Sequence, residues 1–420
     1  MVAWSFPART PAVVGSTLHV AVGNAIFSIV RTRHVATRHV ATRLRSRVRA
    51  RAQIPLLVHA VPLNNCSQAP LTTISRAAAD RFLDSWNRHG MEWDGWMQEV
   101  EAARGAFAAL INASASEVAV VSSVSHATSV IATAMRFDAG RNVIVASGAE
   151  FPAVGHVWLA QRARGANVRW VPLRDGVLPL ASYVEAIDER TAIVSAAHAY
   201  YQTGLVQDVA TITQLARAYG ALTYVDAYQS LGAVPIDVRA MDLDMVASGT
   251  LKYLMGTPGL AFLYVKRALI ERLEPLITGW FGRVNPFAFD ATHLDWSPNA
   301  SRFDGGTPAL FSAYVSRASL EWLQQIGAQP IHEWTQHLSK RLIDGAEARG
   351  MTILGPGHGA PKTPTTAIAC VDAHAVEHAM RARGFIASAR GPAIRLAPHF
   401  YTAEDEIDGA LAALADVLRV

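Results

Sequence analysis

The stretch LTYVDAYQSLGAVPIDVRAMDLDMVASGTLKYLMG, residues 222–256, decides the fold of this chain. It contains two short, mostly apolar runs, residues 222–225 and 244–247, and each predicts a buried strand. Asp226 follows the first run directly, and Lys252 follows the second run after a few small residues. In a sheet of parallel strands joined by helices, ligands bind at the carboxyl ends of the strands. The stretch therefore predicts an α/β fold with a ligand site near Asp226 and Lys252.

The alternation of strands and helices continues on both sides of this stretch. Further short apolar runs predict strands at residues 118–122, 142–146, 168–171, 191–196 and 260–265. Helical patterns separate most of them, at residues 75–112, 127–135 and 152–164. Strands that alternate with helices predict a mainly parallel, doubly wound sheet.

The order of these patterns along the chain predicts three parts. Residues 1–55 form a basic extension, and residues 56–310 form an N-terminal segment and a large domain whose last stretch, 275–310, is irregular. Residues 311–420 form a smaller α+β domain. Its predicted strands are residues 365–371 and 393–396, and its predicted last helix is 403–418.

Composition and charge limit the function classes. The chain is 51% hydrophobic and 17% charged, which indicates a large core and extensive interfaces. The net charge of +4 depends on nine arginines in residues 1–55; without them it is −5. A nucleic-acid-binding domain needs a basic face, and we expect none here.

The N-terminal extension has three possible explanations. Residues 11–30 are mostly apolar but contain His19 and Asn24, so a membrane anchor is a weak candidate. An Arg-rich, acid-poor segment also fits a transit peptide. The third explanation, a disordered extension or a start placed too early, is the one we favour, with no membrane association. Two cysteines, Cys66 and Cys370, predict no disulfide framework or Cys-based zinc site, and favour a cytoplasmic protein without a metal.

Lysine is rare in this chain, with four lysines against 34 arginines. A lysine kept in such a context suggests a need for an amine nucleophile, which a permanently protonated guanidinium cannot replace. Lys252, between a Ser-Gly-Thr run and Gly256, is the candidate. The alternative is an ordinary lysine whose apolar stem covers a strand end.

Asp226 strengthens this interpretation, because a carboxylate at the end of a buried strand needs a partner. The protonated ring nitrogen of pyridoxal 5'-phosphate (PLP) would be one, whereas a helix cap is the alternative. Gln229 could donate to the phenolic oxygen of that ring, or be a plain turn residue.

Two further segments follow predicted strands. The hydroxyl-rich turn around Ser125 and His126 begins a helix, where backbone N–H groups bind phosphate; capping explains only some of its hydroxyls. Phe151 could stack on a cofactor ring or belong to the core.

These residues, in this order and spacing, resemble the class V aminotransferase family over about residues 60–420. The matching motifs are Asp226-Ala227-Tyr228-Gln229, Gly232, Pro235-Ile236-Asp237, Asp242-Leu243-Asp244, Ser248, Lys252 and Gly256-x-x-Gly259. The resemblance implies the fold-type I architecture of PLP enzymes, with Lys252 as the Schiff-base lysine and Asp226 paired with the pyridinium nitrogen. It also implies the roles of the remaining cofactor residues: Gln229 near the phenolic oxygen, Ser125, His126 and Ser248 at the phosphate, and Phe151 on the ring.

Other stretches resemble the kynureninase-like and isopenicillin epimerase-like branch of the family. Residues 279–308 resemble its central loop, in which Thr307 would reach the phosphate of a neighbouring subunit and make the enzyme a homodimer. Residues 63–68, with Asn65, resemble its substrate loop. Arg395 would bind the substrate carboxylate, for which a guanidinium fork is suited. Tyr201 would face the substrate or be structural.

Departures from the family patterns bear on the reaction. Tyr228-Gln229 stands where kynureninases have a histidine, and Leu251 where they have an aromatic residue. The loop at 387–392 has no cysteine, which argues against cysteine-persulfide chemistry. We therefore expect an enzyme acting on an amino acid, either an aminotransferase or a kynureninase-like side-chain lyase. An epimerase or racemase of the same family, or a non-catalytic protein that kept the fold, is the alternative.

Overall fold

The computed structural model of this protein describes residues 49–137, 140–174 and 176–419. Residues 1–48 of the predicted basic extension, including the weak membrane-anchor candidate at 11–30, lie outside the described residues. Arg51–Val420 form one compact unit, and its largest element is a seven-stranded sheet. The strands of this sheet are β2 (Val118–Val121), β3 (Val143–Ser147), β4 (Asn167–Val171), β5 (Thr191–Ala197), β6 (Leu222–Asp226), β7 (Met245–Gly249) and β8 (Ala261–Val265).

The strand order is β2-β8-β7-β6-β5-β3-β4. β8 is antiparallel to both of its neighbours, and every other pairing in this sheet is parallel. Six of the seven strands therefore run in one direction, and their carboxyl ends meet at one edge. The predicted α/β fold with a mainly parallel sheet is confirmed.

Helices pack on the sheet and bury most of its strands, whereas the edge strand β4 is partly exposed. The bounds of the helices are α1 (Thr73–His89), α2 (Trp93–Leu110), α3 (Val124–Ala134), α4 (Pro152–Ala160), α5 (Leu180–Ala186), α6 (Val209–Ala218), α7 (Arg267–Ile270) and α8 (Leu310–Ile326). Strand residues such as Ile144 and Met245 share one apolar core with Val130 and Trp158 from the helices. This core holds the strand ends in fixed positions.

The prediction of one helical segment at 75–112 is wrong, because the structure has two helices there. α1 ends at His89, and Gly90 follows with φ +70°, a backbone conformation that glycine adopts at low cost. α2 then begins at Trp93. The predicted irregular stretch at 275–310 consists of loops and short 3₁₀ turns.

A second, smaller sheet lies in the C-terminal part. Its strands are β9 (Ile353–Leu354), β10 (Thr366–Ala369), β12 (Ser388–Arg390) and β13 (Ala393–Leu396), in the antiparallel order β12-β13-β10-β9. The helices of this part are α9 (Ala328–Glu347), α10 (Ala373–Ala382) and α11 (Glu404–Leu418). Leu338, Ile394 and Leu411 join these elements in one core.

The N-terminal segment contacts this small sheet. β1 (Val61–Pro62) pairs in parallel with β11 (Phe385–Ile386), and Leu63 belongs to the same core. The division of the chain at residue 310 stays a prediction. Among the described residues, no helix is both long and apolar enough to cross a bilayer.

Candidate active site

A cavity of about 290 Å³ lies at the carboxyl ends of the large sheet. Ser123 after β2, Ala149 after β3, Ala199 after β5 and Asp226 at the end of β6 form part of its wall. Lys252 follows β7 and completes this side. The parallel strands place these residues together because their ends meet at one edge, as the sequence predicts for Asp226 and Lys252.

The amine of Lys252 is held between two aromatic rings. Its Nζ lies 4.0 Å from the ring centroid of Tyr228 and 5.6 Å from that of Phe151. Burial lowers the pKa of Lys252 to about 8, although the charge of Asp226 partly opposes this shift. A lysine in this range is far easier to deprotonate near neutral pH than an exposed one.

Gly249 makes the position of Tyr228 possible. A Cβ atom at residue 249 would lie 2.3 Å from Cζ of Tyr228, much closer than any real contact. A side chain here would displace the ring that packs against Lys252. The glycine of the Ser-Gly-Thr run therefore serves a close approach within the site.

Asp226 is a buried carboxylate that faces the cavity. Its Oδ1 accepts a hydrogen bond of 2.9 Å from the backbone N–H of Tyr228. Burial raises the pKa of Asp226, and this hydrogen bond and the charge of Lys252 partly oppose the rise. Among the described residues, no cationic side chain forms a salt bridge with this carboxylate. The site thus offers a buried acceptor that suits a cation.

The N-terminus of α3 forms another part of the wall. The side chain of Ser123 caps this helix by accepting a 3.0 Å hydrogen bond from the N–H of His126. Ser123, Val124 and Ser125 all line the cavity. The first-turn N–H groups and the helix dipole make this corner suitable for an anion.

Arg395 on β13 lies on the opposite side, and its side chain is almost fully buried. Its Nη1 donates to the carbonyl oxygen of Tyr201 at 2.5 Å. Its Nη2 donates to the hydroxyls of Ser67 at 2.9 Å and Ser388 at 2.6 Å. The buried Nε has no hydrogen-bond partner among the described residues. The guanidinium is therefore fixed in direction and retains a free donor.

Three more of the predicted site residues lie at the cavity wall. Phe151 and Tyr201 meet edge to face, with ring centroids 5.2 Å apart. Gln229 also lines the cavity, and its Nε2 donates to the carbonyl oxygen of Cys66 at 3.1 Å. The structure thus brings together Lys252, Asp226, Gln229, Ser125, Phe151, Tyr201 and Arg395.

Two other predicted site residues have side chains bonded elsewhere. Asn65 is fully buried, donates to the carbonyl oxygen of Ala397 at 2.8 Å and accepts from Tyr401 Oη at 2.7 Å. Ser248 is buried and donates to the carbonyl oxygen of Gly249. Neither lines the cavity, because both side chains serve hydrogen bonds within the protein.

His126 and Thr307 also lie away from the cavity wall. The Nδ1 atom of His126 lies 3.1 Å from the hydroxyl of Ser122, and burial lowers the pKa of this imidazole. Thr307 is exposed on the loop before α8. Its predicted contact with a neighbouring subunit stays a prediction.

Some residues at or near the site were not predicted from the sequence. Cys66, Ser67, Tyr228 and Arg390 line the cavity. For Ser67, the signal was its place in the 63–68 motif. Arg390 gave no signal, because the strand that turns it toward the cavity, Ser388–Arg390, lies in a segment predicted from the sequence as a loop.

Glu150, which precedes Phe151, was also missed. Its Oε1 accepts a 2.8 Å hydrogen bond from Ser195 Oγ, and its buried Oε2 has no partner among the described residues. Burial raises the pKa of Glu150 well above its usual value, and the charge of Asp226 adds to this rise. The surroundings of Glu150 therefore favour its protonated form.

Comparisons with known proteins agree with this architecture. The family model for aminotransferase class-V matches residues 85–402. The uncharacterized aminotransferase YcbU of Bacillus subtilis (strain 168) is 37% identical over 87% of this chain and 96% of its own length. The kynureninase of Pseudomonas fluorescens is 28% identical over 84% of this chain and 88% of its own.

A solved structure has the same fold at lower identity. It is a C-DES mutant with glycine covalently linked to the PLP cofactor, with a TM-score of 0.79 and 20% identity, covering 87% of this chain and 99% of that chain. The fold-type I architecture implied by the sequence is confirmed by this similarity.

Proposed function

The chain belongs to the class-V aminotransferase family, and from this premise we propose that it is an aminotransferase that binds an α-amino acid by its carboxylate at Arg395. The enzyme depends on PLP. One observation carries the proposal: Lys252 Nζ, the carboxylate of Asp226 and the buried guanidinium of Arg395 converge on one cavity.

The residues present fit the cofactor. Asp226 is a buried carboxylate with a raised pKa that lacks a salt bridge within the described chain, and a protonated pyridine nitrogen would stabilise its charge. Ser125 and the N-terminus of α3 would hold the phosphate. Phe151 would lie against the ring, and Gln229 would lie near its phenolic oxygen. When bound, the cofactor supplies an electron sink for the electron pair left at the substrate α-carbon.

The protein's own contribution begins with orientation. Arg395 is held by Tyr201, Ser67 and Ser388, so its guanidinium has a fixed direction at the cavity wall. A carboxylate bound there is positioned with little loss of side-chain entropy, because the arginine is already ordered. The substrate is thereby anchored with its α-carbon toward Lys252.

Lys252 then moves the proton. With its pKa lowered to about 8 by burial, Nζ can accept the proton of the substrate α-carbon near neutral pH. The rings of Tyr228 and Phe151 restrict the amine and stabilise its protonated form through their faces.

The similarity along nearly its whole length to the Bacillus protein named as an uncharacterized aminotransferase supports the choice of amine transfer over side-chain cleavage. A kynureninase-like lyase remains the second candidate, which the similarity to kynureninase favours. We further expect a homodimer, which light scattering of the purified protein will test, and a cytoplasmic location, which cell fractionation will test.

The reaction is tested by incubating the purified holoenzyme with a panel of α-amino acids, each with and without a 2-oxo acid acceptor. We expect amino-group transfer only when the acceptor is present. Release of alanine or pyruvate without an acceptor would identify a lyase, and loss of optical activity would identify a racemase. If PLP binds but no amino acid reacts, the proposal of an enzyme fails.

A further inference from the structure

A second arginine faces the cavity from the small sheet. Arg390 is the last residue of β12, which pairs with β13 so that Ser388 lies opposite Arg395. Alternate residues of a strand share a face, and directly opposed residues of antiparallel strands share it too. Arg390 therefore lies on the same face as Arg395, about 7 Å further along the strand.

The charges of the cavity wall are unevenly distributed. Among the described residues that line it, Asp226 is the one carboxylate, and it lies at the end of the large sheet. The side formed by the small sheet has two guanidiniums and no acid. Both arginines also act on the reacting amine: after burial, which lowers the pKa of Lys252 most, the charges of Arg395 and Arg390 lower it further.

The two arginines differ in how they are held. Arg395 is almost fully buried and fixed by three hydrogen bonds. Arg390 is exposed, and among the described residues no hydrogen bond or ion pair holds its guanidinium. A fixed arginine suits the group that every substrate shares, whereas a free arginine near it suits a second, variable group.

We propose that Arg390 binds an acidic group at the end of the substrate side chain, so that the enzyme prefers α-amino acids with an anionic side chain. This inference rests on the proposed function, because it takes Arg395 as the site of the α-carboxylate. The pairing of β12 with β13 places the two arginines about two residues apart on one face, so one small molecule with two anionic groups can reach both.

The expected selectivity arises because acidic substrates gain binding affinity. A carboxylate that leaves water is stabilised by a charge-assisted, bidentate contact with Arg390. A neutral side chain leaves Arg390 hydrated at the mouth of the cavity, at little cost. We expect acidic ligands to bind roughly 10- to 100-fold more tightly than neutral ligands of the same length.

The test uses unreactive ligands of matched length on the purified holoenzyme. Affinities for glutarate and for pentanoate are measured by calorimetry, and the readout is their ratio. We expect a ratio of roughly 10 to 100 in favour of glutarate in the wild type. Arg390→Met should bring it close to one, and Arg390→Lys should keep part of it. Arg383→Met, which removes an exposed arginine outside the cavity wall, is the matched control and should leave the ratio unchanged.

The outcomes separate this inference from the proposed function. A wild-type ratio near one, or a ratio unchanged in Arg390→Met, overturns the role of Arg390 even when neutral amino acids are turned over. Failure of the wild type to bind PLP or to react with any amino acid overturns the proposed function instead. The same two variants, assayed with acidic and neutral amino acids, should show the loss in kcat/KM for acidic substrates.

Discussion

Two of the four lysines are enclosed by the protein, one beside each sheet, and their surroundings differ. Lys252 faces the cavity at the end of the large sheet, with Asp226 as an opposing charge. Lys362, beside the small sheet, donates to the hydroxyls of Ser339 at 2.7 Å and Thr366 at 3.0 Å. Burial lowers the pKa of Lys252 to about 8 and that of Lys362 to about 7.

The comparison shows that burial and a lowered pKa do not by themselves distinguish the two lysines. Both amines are less basic than usual, because burial disfavours their charged form. Lys252 also has a cavity in front of it and a carboxylate and a guanidinium around that cavity. Lys362 does not line this cavity and has two neutral hydroxyls as partners. The difference lies in the neighbours and in access for a substrate.

The first prediction, with the largest expected effect, concerns the catalytic activity of variants at the two lysines. Lys252→Ala should lower kcat by about 10³-fold or more, because under the proposed function it removes the group that would accept the α-proton and bond to the cofactor. Lys362→Met should leave kcat within about threefold, since the enclosed amine does not line the cavity. Initial rates and the visible absorption of bound PLP measure both effects.

The matched pair makes the result interpretable. Both variants remove one enclosed amine, so a general loss of folding would affect both and would appear in their circular dichroism. Full turnover by Lys252→Ala contradicts the catalytic assignment. A comparable loss of kcat in folded Lys362→Met contradicts the distinction between the two lysines.

The rarity of lysine in the sequence could not separate these two residues. Lys252 was singled out as the candidate nucleophile because Asp226 and the hydroxyl-rich turn also follow predicted strands. Since parallel strands end at one edge of a sheet, these residues were expected to lie near it. Asn65 and Ser248 lie in matching motifs, yet their side chains bond within the protein. A motif fixes the position of a residue along the chain, whereas the direction of its side chain depends on contacts distant in sequence.

The fold, like the site, could be predicted only in part from the sequence. The strands of the large sheet are short apolar runs, so their positions followed from hydrophobicity to within a residue or two. The break at Gly90 was missed, since one glycine in a helical pattern is often tolerated. The parallel pairing of Val61–Pro62 with Phe385–Ile386 joins segments more than 300 residues apart, and no local pattern indicates such a contact.

The second prediction concerns the stability of the small-sheet core. Lys362 has a pKa lowered from 10.5 to about 7 in the folded protein, so the unfolded chain binds more protons between these values. The buried charge of Lys362 lowers the free energy of unfolding by its full amount below about pH 7. This penalty disappears as the pH rises toward the pKa of the lysine in the unfolded chain, 10.5. At about 1.4 kcal/mol per pKa unit, the change amounts to several kcal/mol. The free energy of unfolding of the wild type should rise relative to Lys362→Met between pH 7 and 10.

Urea denaturation at several pH values measures this difference. Lys340→Met, which changes an exposed lysine paired with Asp344, serves as the control and should show no comparable trend. A constant difference between wild type and Lys362→Met over this range would mean that the folded protein keeps Lys362 charged, against the pKa given by its surroundings.

The third prediction, with the smallest expected effect, concerns a buried acid, Glu150, in place of a buried lysine. Glu150 is buried beside the cavity with its pKa raised by burial and by Asp226. As the pH rises, the Glu150 carboxyl loses its proton in the unfolded chain before it does so in the folded protein. The stability penalty is therefore absent below the pKa in the unfolded chain and grows as the pH rises toward the pKa in the folded protein. Glu150→Gln keeps an acceptor for Ser195 and cannot ionise. Its gain in unfolding free energy over the wild type should therefore increase from pH 4 upward, by about 1.4 kcal/mol per unit of pKa shift.

The sign of this trend distinguishes two states of the site. Glu185→Gln, at an exposed position paired with Arg174, controls for the loss of a carboxylate and should give a flat difference. If Glu150→Gln instead became less stable relative to the wild type with rising pH, Glu150 would be an ionised, paired carboxylate, and Asp226 would face a second negative charge. A neutral Glu150 leaves Asp226 as the one buried anion facing the cavity among the described residues, which is the condition for it to hold a protonated ring nitrogen.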